Sequence, residues 1–144
     1  MNTKNVLMGG IAGGIAFFFL GWLIYGMLLM NYMMENAPKI EGLYRAETDF
    51  IWWALIASNL VSGLFIAYLF DLGKVSGWMN GFKTGAIIGI LMSICIDLNY
   101  YSMTFMVSKN MMIVDVLAST VMMGIGGAVI AMVMGMGMGN KSAA

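Results

Sequence analysis

A single-domain bundle of four membrane-spanning α-helices, residues 1–144, is the all-α fold that this sequence predicts, and three observations carry it. Apolar stretches fill 6–34, 50–70, 81–107 and 111–138, and each reaches the roughly 20 residues needed to cross about 30 Å of hydrocarbon. Of 144 residues, 61% are hydrophobic and only 10% charged, and the mean hydropathy is +0.88, values foreign to a soluble domain. Polar connections between the stretches are short, which leaves no room for a separate soluble module.

The first stretch follows Lys4, as the apolar region of a signal peptide would. It is about twice the length of such a region, and it ends at Asn31-Tyr32-Met33-Met34-Glu35 without a small-x-small cleavage pattern. It is read as a retained helix. The loop over 35–49 holds Pro38 and Tyr44 and is the most varied connection. Trp52 and Trp53 open the second helix, Tyr68 closes it, and Trp78 lies in the next loop, positions that fit aromatic belts at both interfaces. The second loop is the polar turn 71–78. The third, around Ser108-Lys109-Asn110, is shorter still, so the third and fourth helices are expected to pack as antiparallel neighbours.

Small residues recur at helical spacing in every span. Gly9, Gly10, Gly13 and Gly14 mark the first, and Ala54, Ser58 and Ser62 the second. Gly81, Gly85, Gly89 and Ser93 mark the third, and Gly127, Ala131, Gly135 and Gly139 the fourth. Apolar helices gain nothing from leaving lipid for one another, so close backbone approach through small side chains is what associates them. Helix packing is therefore assigned to Gly81, Gly85, Gly89, Gly127 and Gly135. A ridge left over within one chain would serve a homo-oligomer or another membrane protein.

Seven basic and seven acidic residues cancel, with no block of like charge, which excludes a nucleic-acid footprint. There is no histidine and one cysteine, Cys95, so the commonest general base and metal ligand are missing. Four spans put both termini on one side with Lys4, Lys74, Lys83 and Lys141. Lys39, Arg45 and Lys109 lie on the other. Four against three places the termini in the cytoplasm, in a multi-pass protein of the inner membrane.

The third span carries Asp97. Eleven residues separate it from Ser108, which at 1.5 Å each sets it about 16 Å from that face, near the midplane. Asn59, Tyr25 and Ser119 fall at about 14 Å by the same count, so four helices offer one polar side chain each at a shared depth. Asp115 stands one turn from Ser119 on the same face, nearer water. Asp97 shares its helix face with Gly89, Ser93, Tyr100, Tyr101 and Thr104. An ionised carboxylate at a helix centre costs about 2.5–3.5 kcal/mol on insertion scales. Two states stay open: a neutral acid donating to Asn59 or a tyrosine, or a charge held by water inside the bundle. Residues Asp97, Asn59, Tyr25, Ser119, Asp115, Ser93, Tyr100 and Tyr101 form the candidate ion or ligand site.

Eighteen methionines, several in the run 132–138, raise a Cu(I) path, since thioethers bind that ion. Alternate methionines on a helix point in separate directions, however, so they are read as packing against glycine-rich neighbours. No metal and no cofactor is expected. No nucleophile–base pair, phosphate loop or carboxylate dyad appears, and the chain is read as no enzyme.

The run Phe19-Leu20-Gly21-Trp22-Leu23-Ile24-Tyr25-Gly26 resembles the first-helix signature of a bacterial family of small four-helix membrane proteins, domain of unknown function seventeen-sixty-one. Ile96-Asp97-Leu98-Asn99-Tyr100-Tyr101, Met112-Ile113-Val114-Asp115 and Met123-Gly124-Ile125 are similar to its second half. A Tyr-His pair follows the last Asp in that pattern, where Ala118 and Ser119 stand here. The resemblance implies the fold and no activity. The leading expectation is a non-enzymatic scaffold or partner-binding subunit whose buried polar layer fixes packing. The competing one is a small proton- or cation-coupled transporter or channel using Asp97.

Overall fold

The computed structural model describes residues 2–139, and they are helical almost throughout. Helix α1 (Thr3–Leu23) runs into a π turn, Ile24–Leu28, and a short helix α2 (Met30–Asn36) follows. A 3-10 turn, Glu47–Asp49, leads into α3 (Trp52–Leu72), α4 (Trp78–Met103) and α5 (Lys109–Gly139). Four segments are long and apolar enough to cross a membrane: Thr3–Leu28, Trp52–Leu72, Trp78–Met103 and Lys109–Met136.

Trp78 opens α4 instead of lying in the loop before it, the second stretch shifts to Trp52–Leu72, and two further boundaries change for a local reason. The first stretch does not continue to residue 34. The Leu29 amide donates to Ile24 O at 2.8 Å, five residues back, which closes the π turn and separates α1 from α2. The third stretch ends at Met103, because Thr104 turns extended (φ −139°, ψ 167°). Its hydroxyl donates to Tyr100 O at 2.8 Å and accepts from the Met106 amide at 3.1 Å, so one threonine closes the helix and starts the loop.

Packing follows the order α3–α1–α5–α4. Helix α1 lies between α3 and α5, α5 lies between α1 and α4, and α3 touches α5 only lightly. Helix α4 packs extensively on α5 alone, so the row curls without closing between α3 and α4. The core is Phe17, Ile66, Ala67, Phe70, Ile130, Ala131 and Met134. Most of it lies toward the end where α3 turns into α4, the Asp71 end. There the Asn2 amide reaches Asp71 Oδ1 at 3.4 Å, and Asn5 Nδ2 donates to Met134 O at 3.3 Å.

Glycine sets both tight crossings. A Cβ on Gly63 of α3 would meet the backbone of Gly10 and Gly14 of α1. Between α4 and α5, a Cβ on Gly81 would meet Gly127 O, and one on Gly85 would meet Met123 O. One on Gly89 would stand 2.8 Å from Met123 Cβ and 2.9 Å from Ser119 O. Gly127 in turn lies against Gly81 O. Gly135 departs from the expected ridge. A Cβ there would meet nothing within 4 Å among the described residues, because on that face α5 has run past the start of α4 at Trp78.

The α3–α4 turn is a Schellman cap. The Val75 amide donates to Phe70 O at 2.9 Å and the Lys74 amide to Asp71 O at 3.2 Å, while Val75 packs on the core that contains Phe70. Lys74 takes the left-handed position (φ 51°) that glycine usually fills.

Candidate functional site

The contacts of α4 and α5 fix their register. Gly81 faces Gly127 and Ala131, Gly85 faces Met123 and Gly127, and Gly89 faces Ser119 and Met123. Four residues forward on α4 thus match four residues back on α5. Continuing the step puts Ser93 opposite Asp115 and Ser119, and Asp97 opposite Met111 and Asp115. With α4 ending at Met103 and α5 starting at Lys109, Asp97 and Asp115 each lie six residues, about 9 Å, inside their helix end. The two carboxylates share a depth, and it is shallower than the midplane position expected for Asp97.

Asp115 forms the ordered part of the site. Tyr25 OH donates to its Oδ1 at 2.8 Å and the Ser119 hydroxyl to its Oδ2 at 3.2 Å, while the two hydroxyl oxygens stand 3.0 Å apart. Tyr25 sits inside the π turn. That wider turn breaks the 3.6-residue register of α1 and aims the phenol at α5, in keeping with the frequent placement of such turns at functional positions. Two hydroxyl hydrogens serve three oxygen–oxygen contacts, so the triangle accommodates one further proton and would then be a closed ring of three hydrogen bonds.

Asp97 stands beside this triangle, within electrostatic range of Asp115 and Tyr25, but it is not part of it. It is 7% exposed, and its Oδ2 is enclosed with no hydrogen-bond partner among the described residues. A buried polar atom left so is uncommon and costly.

Other expected members go elsewhere. Asn59 donates to Leu55 O of its own helix at 2.8 Å, so it does not serve Asp97, and the shared polar layer is smaller than expected. Tyr100 and Tyr101 are exposed on the outside of α4, because they fall off the glycine ridge that meets α5. Ser93 is buried at the α4–α5 contact, its hydroxyl on Gly89 O at 2.8 Å and Ile90 O at 3.2 Å.

The gap between α3 and α4 is a cleft of about 230 Å³ floored by α5. Ser62, Phe65 and Ile66 form one wall, Met92, Ser93 and Ile96 the other, and Asp115 and Ser119 lie in the floor. Ser62 was not anticipated as a site residue. Its place in the small-residue ridge of α3 was the available signal. Among the described residues no cluster of three metal-ligating side chains occurs. Asp115, Tyr25 and Ser119 offer oxygen only, a donor set suited to protons and hard cations. No protein-family model, no curated protein and no solved structure matches this chain.

Proposed function

We propose that the chain is an integral protein of the inner membrane that works without catalysis, as a scaffold or partner-binding subunit. The observation that carries this reading is the open cleft between α3 and α4. In lipid, a bundle gains by closing on itself through small residues, yet α3 leaves the Ser58–Ser62 step of its ridge facing outward. The cleft is apolar over most of its lining, with Met122 and Met123 in the floor beside Asp115 and Ser119 and a serine, Ser62 or Ser93, in each wall, and those few polar groups suit another membrane segment better than bare acyl chains. The resemblance in the first, third and fourth spans implies the same fold and adds no activity.

A photo-reactive side chain at Ser62 or Ile96 tests this in native membranes. Both positions should yield discrete protein adducts, while Val61 on the outer face of α3 should label lipid. Lipid adducts alone at Ser62 and Ile96 would remove the scaffold reading.

A second reading has its own support in the unpartnered Oδ2 of Asp97 and the proton-accepting triangle beside it. Here the site exchanges a proton or cation. Liposomes holding the protein should then show cation- or proton-driven flux that Asp97→Asn abolishes. Absence of flux in the unaltered protein would discard it.

A further inference from the structure

Helix α4 has a flank that its own chain does not use. Lys83, Ile87, Ile90, Ile94, Asp97 and Tyr101 follow one another at steps of four and three residues, the spacing of a helix–helix seam. Apart from Asp97, all are exposed, and α5, the one helix that α4 packs on extensively, lies along the neighbouring face. Lys83 and Asp97 are four turns apart and fall within about 40° of one helix face. Asp97 stands where this flank meets the α5 contact. Its Oδ2 is enclosed, Oδ1 has no hydrogen bond among the described residues, and the residue keeps 7% exposure.

The two charges are placed symmetrically. Lys83 lies seven residues before Ile90 and Asp97 seven after it, and Ile90 is close to the middle of α4 (Trp78–Met103). A second copy laid antiparallel on this flank, with Ile90 against Ile90, brings the Lys83 of each chain to the Asp97 of the other. Such a pairing is isologous and closes as a two-fold dimer. A parallel copy would instead set lysine on lysine and aspartate on aspartate.

We propose that Asp97 is one half of an intersubunit site completed by Lys83 of a second copy, in an antiparallel dimer built on α4. Charge distribution is consistent with copies of both orientations. Lys4, Lys74, Lys83 and Lys141 at one end face Lys39, Arg45 and Lys109 at the other, a difference of one basic residue, so the charges hold orientation only weakly. In a lone copy the Lys83 stem would extend to the nearby interface and Asp97 would stay unpaired. Pairing gives Lys83 a counter-charge and Asp97 a donor at Oδ1 within the bilayer, while the enclosed Oδ2 stays as it is.

Two differently tagged full-length chains, each with Cys95→Ser, one carrying Ile87→Cys and the other Ile94→Cys, test the geometry on oxidation in membranes. Residues 87 and 94 nearly face across the symmetry point, so the mixed adduct should dominate. A dominant adduct between two Ile87→Cys chains, or no adduct, would overturn the proposal. The charge pair is read separately. Lys83→Gln, at an exposed position that leaves the fold alone, should cut the mixed adduct about tenfold, a typical gain for a polar contact between helices in lipid, and Lys83→Arg should keep it. An undiminished adduct in Lys83→Gln would refute the pair. Adducts at Ser62 in the cleft should be unaffected, so loss of the dimer and loss of the partner-binding cleft are told apart.

Discussion

Tyr25 illustrates how much one residue's position depends on backbone that composition does not reveal. Its phenol reaches Asp115 and Ser119 only because a π turn interrupts α1. Tyr25→Phe removes one donor from the carboxylate and should lower stability in detergent by about 1 kcal/mol, with Ser119→Ala costing less because its bond is longer. Thermal unfolding of the two variants checks the order. At this scale the sequence identified most participants and misjudged their grouping. Asp97, Asp115, Tyr25 and Ser119 were visible as polar residues in apolar runs. Asn59 looked the same, but a side-chain amide can bond the helix carbonyl four residues back, here Leu55 O, and spacing does not distinguish that from a contact across helices.

Elements were more legible than sites. The glycine steps on α4 and α5 name the faces that meet, because only a missing side chain admits backbone at that distance. Gly85→Ala should therefore cost about 1–3 kcal/mol, since its Cβ meets the Met123 carbonyl, and overpacking of that size is typical. Leu91→Ile, on the exposed face, should stay within about 0.5 kcal/mol. Denaturation of both variants in one detergent decides it, and equal tolerance would refute the glycine contact. The turn gives an opposite sign. Lys74→Gly relieves a left-handed residue and should raise stability by about 0.5–1 kcal/mol once the unfolded chain's added freedom is subtracted. The ends of helices were less readable. Thr104 stops α4 through hydrogen bonds of its hydroxyl, a choice that an apolar run continuing to residue 107 conceals.

For the whole molecule, four helices long and apolar enough to cross a membrane were evident from length and composition, yet their arrangement was not. Nothing in the hydropathy of α3 and α4 says that they stay apart, since the order α3–α1–α5–α4 emerges from which glycines meet which partners. That order predicts a labelling pattern. Cysteine pairs between α4 and α5, such as Ser93 with Ser119, should cross-link within one chain. Pairs between α3 and α4, such as Ser62 with Met92, should not without a spanning reagent. Direct disulfide formation across the second pair would mean that the row of helices closes in the bilayer.

Along α4 the residues facing α5 grow in the order Gly81, Gly85, Gly89, Ser93, Asp97, and most of the hydrophobic core lies at the Asp71 end. The consequence is a gradient of breathing. Amides near Gly81 and Gly85 should exchange with deuterium only when the whole fold opens. Those near Asp97 and Met103 should exchange by local opening, orders of magnitude sooner where solvent reaches them. On this packing the glycine end would serve as the hinge and the Asp97 end would yield, so force or a ligand applied near Asp115 would spread the helices about their glycine end.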